Sequence, residues 1–385
     1  MTWDIAPCNI GTGLPLEGVR VLDFSRVLAG PLCSMIVGDL GADVIKIEGP
    51  EGDPVRGLAP PRFGDDATYY LAVNRHRRNV VADLRDAKDF DAVGKLVQQA
   101  DAVVENFLPK QLRALNIEKL KELNPDCVWI SITPASSGGP VASDPSFDLL
   151  AQARSGIMGV TGTAEGEPTK IGAPIADVLA GLYGAVGLLA GLFAKLSGKP
   201  GRHFEAPLLE SIMSGLINQA QGYLATGVNP HRLGNDHPSI APYGPVKTKD
   251  GYMLLAVGTD SQYEKLVAVL ASPELSSHVE WKLNDNRVKE LDEMRSVLNS
   301  IFEKLTTNEW LERLENSGVP MSPILDVAGA FAQDQIANGD FLGTMSTPGG
   351  DVQAMRTPLI IDGKRPKIRS GPRRQGEDTQ EIFGS

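Results

Sequence analysis

The stretch GVRVLDFSRVLAGPLCSMIVGDLGADVIKIE, residues 18–48, sets the expected fold of the chain. In its first eight residues, apolar and polar positions alternate and lead into an apolar run, which predicts a buried strand. ADVIKIE (42–48) predicts a second strand. Between them, Gly30-Pro31 marks a turn, and LCSMIVGDLG predicts a helix that ends at Gly41. A strand, a helix and a strand in this order predict a right-handed βαβ unit with parallel strands.

The same alternation continues along the N-terminal half of the chain. Its further predicted elements are VVADL (80–84), a helix over about 87–100, DAVVENF (101–107) and CVWISITP (127–134). We therefore predict an α/β fold with a Rossmann-like large domain built on a mostly parallel sheet. No GxGxxG motif follows the first strand, so the fingerprint of NAD-binding domains is absent.

With 385 residues, the chain exceeds the usual size of a single hydrophobic core, which predicts two domains. HFEAPLLESIMSGLINQAQGYLATG (203–227) predicts a short strand and one long helix. Beyond it, a hairpin strand in DGYMLLAVGT (250–259) and helices over about 261–271 and 291–317 predict a smaller α+β domain. We assign residues 228–325 to this small domain, and residues 1–227 and 326–385 to the large one, with the C-terminal tail extended along another surface.

Asp177 is the only charged residue between Lys170 and Lys195, within IGAPIADVLAGLYGAVGLLAGLFA (171–194). Pro174 is suited to the first turn of a helix, which places Asp177 in that turn, where free N–H groups favour an anion. An ionised carboxylate in apolar surroundings costs free energy unless something compensates it. Because burial raises the pKa and the helix dipole lowers it, we predict a poorly hydrated anion that acts as a nucleophile or general base.

Two other interpretations of Asp177 and its helix stay open. Asp177 could be a simple helix cap. The apolar run is also long enough for a membrane span, although its five glycines and its charge suit close helix packing in a soluble core better.

The bulk composition excludes several classes of protein. The net charge of −11 argues against nucleic-acid binding and against attachment to anionic lipid, so we expect neither partner. Three cysteines, including Cys8, are too few for a disulfide framework and indicate a reducing, cytoplasmic location. The five histidines show no metal-ligand spacing, so no metal site is expected. The N-terminal residues have no secretory signal pattern.

Six blocks of the sequence resemble, in order, the class III CoA-transferases, the group of formyl-CoA transferase, the carnitine CoA-transferases and the α-methylacyl-CoA racemases. The resemblance runs from Leu16 to about Asp378 and is nearest to the succinate/dicarboxylate CoA-transferases. It implies ring-shaped subunits that interlock as a homodimer. The blocks are LEGVRVLDFSRVLAGP, LGADVIKIEGPEGDPVR, YLAVNRHRRNVVADL, ADAVVENFLP, the Asp177 helix and GNDHPSIAPYGPVKTKDGY.

The resemblance also implies a reaction. Asp177 matches the family's nucleophile, which attacks an acyl-CoA thioester and forms an anhydride and then an aspartyl-CoA thioester, before a free carboxylic acid receives the CoA. Asp148 matches an acidic position that faces this carboxylate, although it could also be an ordinary N-terminal helix charge. Acyl-CoA and a small carboxylic acid are thus the expected substrates, without a tightly bound cofactor.

The CoA-binding residues are predicted partly from charge and partly from the resemblance. CoA is a polyanion at its nucleotide end, so the arginines of NRHRR are phosphate candidates, although they could equally form a solvated charge run. Residues on the loop after the first strand match those that contact the pantetheine arm, and Asn106 could instead be a turn residue. The predicted set is Arg26, Val27, Ala29, Arg75, Arg77, Arg78 and Asn106.

Departures from the family pattern keep other functions open. The racemase branch has a histidine before the acid, where this chain has Phe147, and a racemase needs two proton-transfer groups. Leu28 and Leu58 replace a glutamine and a tryptophan of formyl-CoA transferase, and SITPASSGGP (131–140) and VGTDSQ (257–262) replace two of its glycine-containing loops. These changes indicate an acid other than oxalate or formate. An acyl-CoA racemase, a lyase or an inactive CoA-binding homologue remain alternatives.

Overall fold

The computed structural model describes residues 11–384; Cys8 and the remainder of the first ten residues lie outside them. The chain divides into two compact units. The first contains the described residues up to Ile157, Lys170–Val228 and the described residues from Asp334 onward. The second contains Met158–Thr169 and Asn229–Gln333.

Strands and helices alternate through the N-terminal half of the chain. The elements up to residue 228 are β1 (Arg20–Asp23), α1 (Ala29–Asp39), β2 (Asp43–Glu48), β3 (Arg62–Phe63), β4 (Asp66–Ala67), α2 (Thr68–Val73), β5 (Arg77–Val81), α3 (Ala87–Gln98), β6 (Ala102–Glu105), α4 (Pro109–Ala114), α5 (Ile117–Glu122), β7 (Val128–Ser131), α6 (Asp148–Ser155), α7 (Ile157–Val160), α8 (Ile175–Leu196), β8 (His203–Glu205), α9 (Leu208–Ser214) and α10 (Ile217–Thr226).

Six of these strands form one parallel sheet in the order β5-β2-β1-β6-β7-β8, which confirms the predicted parallel sheet. The register pairs Val21 with Val44 on one side and with Ala102 on the other. Apolar clusters cover both faces, as a parallel sheet requires. Because the chain runs outward in both directions from β1, the strand order reverses between β1 and β6, and the loops that follow these two strands border a crevice.

Helix α8 lies close to α1 and to the sheet because its glycines leave room. A Cβ atom on Gly181 would lie 2.7 Å from the carbonyl oxygen of Ala29, and one on Gly184 would lie 2.9 Å from Ile132 Cδ1. By length and composition alone, α8 is also the one helix in the described part of the chain that could cross a membrane. One face of α8 packs tightly on α1, whereas its opposite face carries exposed apolar side chains such as Val186 and Phe193.

The helices after residue 200 are shorter than predicted. The single long helix expected over residues 203–227 is two helices, α9 and α10, separated at Gly215 and Leu216. The predicted helix over residues 291–317 is also divided, because Thr306 starts a new helix by forming a capping box with Glu309. Helix α1 begins at Ala29, three residues before the predicted start.

The second unit is an antiparallel sheet with helices around it. Its strands have the order β11-β10-β9, and a cluster around Trp281, Leu298 and Phe302 forms its core. Its elements are β9 (Tyr243–Thr248), β10 (Gly251–Ala256), α11 (Asp260–Leu270), α12 (Pro273–Ser277), α13 (Asn284–Lys289), α14 (Leu291–Phe302), α15 (Thr307–Leu314), β11 (Met321–Pro323) and α16 (Val327–Ala332).

Two segments lie in a different unit from the one that the sequence predicted. Residues 158–169 belong to the second unit, where the Gly162 carbonyl accepts a hydrogen bond from Gly234 N at 2.9 Å and Arg232 Nε donates to the Thr163 carbonyl at 3.1 Å. Residues 326–333, which include α16, also belong to it. Such long-range contacts have no local signal in the sequence.

The C-terminal segment returns to the first unit. It contains α17 (Asp334–Ala337), the hairpin β12 (Leu342–Thr347) and β13 (Gly350–Met355), and α18 (Thr379–Phe383). Asp378 Oδ2 accepts a hydrogen bond from Asn79 N at 2.7 Å, and Thr379 Oγ1 accepts one from Val81 N at 3.0 Å. The tail therefore covers the exposed edge of β5 and satisfies backbone groups that would otherwise be free to pair with another strand.

Candidate active site

A pocket of about 370 Å³ opens at the carboxyl ends of β1, β6 and β7. It lies entirely within the first unit and brings together the loops that follow these strands and the start of α8. Crevices at the carboxyl ends of parallel strands are the usual ligand sites of such sheets. The lining residues are Arg26, Val27, Leu28, Ala29, Pro54, Asn106, Leu108, Gln111, Ile132, Thr133, Pro134, Pro145, Ser146, Phe147, Asp177 and Leu208.

Asp177 lies in the first turn of α8 and lines this pocket, as the sequence predicted. Burial, and secondly the negative charge of Asp148, raise the pKa of Asp177 to about 7. Burial is therefore the dominant influence on the pKa of this carboxyl. Near neutral pH this carboxylate is poorly hydrated and exchanges a proton readily, which suits a nucleophile.

Asp148 holds the start of α8 in place. Its Oδ1 accepts a hydrogen bond from Ala176 N at 2.8 Å, which serves the helix end that Pro174 leaves without a side-chain cap. Its Oδ2 accepts one from Gln152 Nε2 at 2.7 Å, and Gln152 Oε1 in turn accepts one from Ile171 N at 2.8 Å. Asp148 therefore positions the helical turn that carries Asp177, and its own negative charge disfavours the ionised form of Asp177.

Tyr69 is a residue near Asp177 that the sequence did not reveal. Burial, and then the charges of Asp177 and Asp148, raise the pKa of its hydroxyl to about 12. The phenol therefore stays neutral near neutral pH and interacts electrostatically with both carboxylates, although Tyr69 itself does not line the pocket. Tyr69 lies on α2, outside every pattern that pointed to chemistry, and only the tertiary fold brings it to Asp177.

The loop after β1 forms one wall of the pocket, and Asn106 fixes its backbone. Asn106 Oδ1 accepts from Arg26 N at 3.0 Å, and Asn106 Nδ2 donates to the Arg26 carbonyl at 2.8 Å. Asn106 therefore lines the pocket as predicted, but its amide group is used to hold the loop. Val27 and Ala29 also line the pocket.

Arg26 is the one cation among the described residues that line this pocket. Its guanidinium lies 5.5 Å from the centre of the Phe107 ring, and within residues 11–384 no carboxylate forms an ion pair with it. An unpaired, half-buried guanidinium is a ready partner for a phosphate or carboxylate group of a ligand.

The three arginines of NRHRR do not fit the predicted role as phosphate ligands. Arg75 forms a bidentate pair with Asp39, Arg77 pairs with Asp23, and Arg78 pairs with Asp43. All three side chains are buried, and none lines the pocket of Asp177. They hold neighbouring elements of the sheet together, and the alternative of a solvated charge run is equally wrong.

A second pocket of about 460 Å³ adjoins the first and shares Arg26, Pro54 and Gln111 with it. Its walls include the aromatic rings of Phe24 and Phe107 and the turn that follows β2. Arg85 also lines it, but Asp83 engages that guanidinium at 2.7 Å. Through these shared residues the two pockets form one continuous surface, with Asp177 in the wall of the first pocket.

The positions where the chain departs from formyl-CoA transferase divide into two groups. Leu28, Phe147 and the segment Ile132–Thr133–Pro134 line the pocket, so they contact any acid bound there. Leu58 is half-exposed and does not line it. The segment VGTDSQ is the start of α11 in the second unit, where Thr259 forms a capping box with Gln262.

A sequence model described as CoA-transferase family III matches residues 16–379. The chain belongs to CoA-transferase family III. The match extends over nearly the whole chain, and the enzyme is therefore a CoA-transferase that moves CoA between an acyl-CoA and a carboxylic acid.

Relatives with known names support this assignment. The human protein "Succinyl-CoA:glutarate CoA-transferase" is 37% identical over 337 residues, which cover 87% of this chain and 77% of that protein. "Succinate--glutarate CoA-transferase" of Agrobacterium fabrum is 37% identical over 357 residues, which cover 90% of this chain and 89% of that protein. The crystal structure of a CAIB/BAIF family protein from Brucella suis matches with a TM-score of 0.86 at 35% identity and covers 96% of this chain and 99% of that one.

No cluster of three or more side chains suited to a metal ion occurs within residues 11–384. The surroundings of Asp177 are instead carboxylate, phenol, amide and apolar groups. Among the described residues that line the pocket, Asp177 is the one carboxylate, and its pKa is raised to about 7.

The raised pKa of Asp177 predicts a pH-dependent stability difference between the native chain and Asp177→Asn. The pKa is about 7 in the folded chain and 3.8 ordinarily, so folding favours the protonated acid. The associated stability is complete below pH 3.8 and is lost as the pH rises through 7. Asparagine carries no charge at either pH. The stability of Asp177→Asn relative to the native chain should therefore grow by about 2 kcal/mol between pH 5.5 and pH 8.5. Urea unfolding at the two pH values measures this growth, and a constant difference would contradict the burial of Asp177.

Proposed function

We propose that the enzyme transfers CoA from succinyl-CoA to a dicarboxylic acid, with glutarate as the first candidate, through covalent intermediates on Asp177. The observation that carries this proposal is a partly buried carboxylate in the first turn of α8, which lines a pocket together with the unpaired guanidinium of Arg26 and has its pKa raised to about 7. The substrates are suggested by the names of the relatives, two of which exchange CoA between succinate and glutarate.

The proposed reaction begins with attack of ionised Asp177 on the thioester carbonyl of succinyl-CoA. The C–S bond breaks, leaving a mixed anhydride on Asp177 and a free CoA thiolate. The thiolate then attacks the aspartyl carbonyl, which releases succinate and leaves an aspartyl-CoA thioester. An acceptor carboxylate repeats the two steps in reverse, so the new acyl-CoA leaves and Asp177 returns as a carboxylate.

The surroundings of Asp177 support each of these steps. Burial leaves the carboxylate poorly hydrated, which increases its nucleophilicity. The neutral Tyr69 hydroxyl and the N-terminus of α8 are suited to stabilise the oxyanion that forms when a carbonyl is attacked. Asp148 fixes the direction of Asp177 through the Ala176 amide.

The two adjoining pockets suggest how CoA binds in a Rossmann-like manner. The pantetheine arm would follow Val27 and Ala29 toward Asp177 in the first pocket. The adenine ring would lie against Phe24 and Phe107 in the second, and Arg26, which lines both, would meet the negative charge of the phosphates. No tightly bound cofactor takes part in this proposal, since acyl-CoA is itself the substrate.

A homodimer of interlocked, ring-shaped subunits is the assembly we propose. The outer faces of α8 and α10 carry large apolar side chains that this chain alone leaves exposed, which is unusual for a monomer. They include Leu182, Val186, Phe193, Ile217 and Leu224. The described cysteines, Cys33 and Cys127, are buried and free, which supports the reducing cytoplasm as the location.

Val186→Glu tests the dimer. Val186 is 62% exposed on α8, and a charge there should prevent two apolar faces from packing, because a buried unpaired charge is costly. Sedimentation velocity should give twice the chain mass for the native enzyme and a single chain mass for the variant. Val279→Glu is the matched control, since Val279 is 63% exposed in the second unit. A native enzyme that sediments as one chain would contradict the proposal.

The substrate proposal is tested with succinyl-CoA and a panel of acceptor acids, with acyl-CoA products separated by chromatography and identified by mass. Glutarate should give glutaryl-CoA at a much higher rate than the matched monocarboxylate, pentanoate. Turnover of monocarboxylates alone would overturn the dicarboxylate assignment and leave the transferase activity in place. Exchange of the α-hydrogen in heavy water without an acceptor acid would instead support the racemase alternative.

A further inference from the structure

The loop Ser25–Ala29 connects β1 to α1 and carries four of the residues that line the pocket of Asp177. Its backbone adopts an unfavourable conformation at Val27, whose φ is +70°. A β-branched residue rarely occupies this left-handed region, because its side chain clashes with the backbone there. Such strain persists only where the surrounding structure enforces it.

The enforcing contact at Val27 comes from Asp53. Asp53 Oδ1 accepts hydrogen bonds from Val27 N and from Val55 N, both at 3.1 Å. Asp53 is 2% exposed and follows β2, on a segment distant in sequence from the loop. The N–H group of the strained residue Val27 is thus satisfied by a buried carboxylate.

Lys46 completes the arrangement from within the sheet. Its side chain is fully buried in β2, and its ammonium group lies 3.0 Å from Asp53 Oδ2 and donates to the Ser25 carbonyl at 2.7 Å. Burial alone would raise the pKa of Asp53, but the Lys46 charge and the hydrogen bonds to Asp53 hold it below its usual range. This buried ion pair therefore holds the loop through hydrogen bonds to the Ser25 carbonyl and the Val27 N–H, which belong to consecutive peptide groups.

The rest of the loop is held in the same way. Asn106 binds both the N–H and the carbonyl of Arg26. Asp23, which pairs with Arg77, accepts a hydrogen bond from Ser25 N at 2.9 Å. Of these contacts, only the hydrogen bond to Asp53 is made by the strained residue itself.

We infer that Lys46 and Asp53 are positioning residues for substrate binding: they hold Val27 in its left-handed conformation, so that Arg26 and the start of α1 are placed for acyl-CoA before it arrives. The inference rests on the proposed function in that the loop is taken to contact CoA. A preformed loop saves the cost of ordering it on binding, so loss of the pair should weaken binding. Neither residue lines the pocket of Asp177, so the effect acts through the loop.

The test is the dissociation constant of CoA, measured by calorimetry, together with KM and kcat for succinyl-CoA. Asp53→Asn keeps an acceptor for Val27 N and loses the charge, whereas Asp53→Ala loses both. We expect the dissociation constant to rise about tenfold for Asp53→Ala and less for Asp53→Asn, with a larger effect on KM than on kcat.

A rescue variant separates positioning from general destabilisation. Glycine adopts a positive φ without strain. Adding Val27→Gly to Asp53→Ala should therefore restore CoA binding, and this gain should exceed the change that Val27→Gly alone causes in the native chain. Asp43→Asn is the control, since Asp43 is buried in the strand of Lys46 and forms its ion pairs with Arg20 and Arg78. Equal weakening by Asp43→Asn, or no rescue by Val27→Gly, would overturn the inference. A native enzyme that binds CoA but transfers nothing would instead refute the proposed function.

Discussion

Asp177→Asn should reduce kcat for CoA transfer by at least about 10⁴-fold, the range seen when a covalent nucleophile is removed. The asparagine has nearly the same shape and keeps the first turn of α8 intact, but its amide cannot form the anhydride or the aspartyl thioester. Because the substitution leaves the proposed CoA contacts of Arg26, Val27 and Ala29 unchanged, binding of CoA should change little. Steady-state transfer from succinyl-CoA to glutarate, with CoA binding measured separately, tests both parts.

Asp148→Asn is the matched comparison for this prediction. It removes a carboxylate from the same site and keeps an acceptor for the Ala176 amide, so its activity should fall far less. If Asp177→Asn kept near-normal transfer, the covalent route would be wrong, and Asp148 would have to be reconsidered as the reacting group. If both variants lost activity equally, a general-base role shared between the two acids would fit better.

The pH dependence of kcat/KM is expected to show an acidic limb with an apparent pKa near 7. This ratio reports the ionisation of the free enzyme, and only ionised Asp177 can attack a thioester. With its pKa raised to about 7, the rate should fall about tenfold per pH unit below that value and reach a plateau above it. Profiles between pH 5 and pH 9 measure the limb, provided that the chain stays folded over that range.

Asp148→Asn identifies the group responsible for the limb. The charge of Asp148 is the second cause of the raised pKa of Asp177, after burial. Removing that charge should move the limb toward lower pH while leaving it above the ordinary range of a carboxyl, since burial is unchanged. If the acidic limb stays at the same pH in Asp148→Asn, another ionising group causes it, such as one on a substrate or a histidine.

The sequence singled out Asp177 because the signal was local. Asp177 is a single charge in an apolar helical run, and that pattern alone implies a carboxylate in an environment that perturbs it. The parallel sheet was predictable for the same reason, since each strand and each helix has its own period and punctuation. The loop after β1 was singled out by the resemblance to the family, and its residues line the pocket of Asp177.

What the sequence could not show depends on contacts between distant segments. Arg75, Arg77 and Arg78 form a basic run that indicates phosphate binding, but Asp39, Asp23 and Asp43 approach them only when β5 and its neighbours fold. Tyr69 is near Asp177 only through the placement of α2. The helix predicted over residues 203–227 breaks at Gly215 and Leu216, and no proline marked that break.

The central claim, that CoA transfer proceeds through a covalent bond to Asp177, is tested most directly by trapping. The native enzyme and Asp177→Asn are incubated with succinyl-CoA and then with hydroxylamine, and their peptides are mapped by mass spectrometry. The proposed route predicts a hydroxamate on Asp177 of the native enzyme and none on the variant. A native enzyme that transfers CoA to glutarate at full rate without any adduct on Asp177 would contradict it.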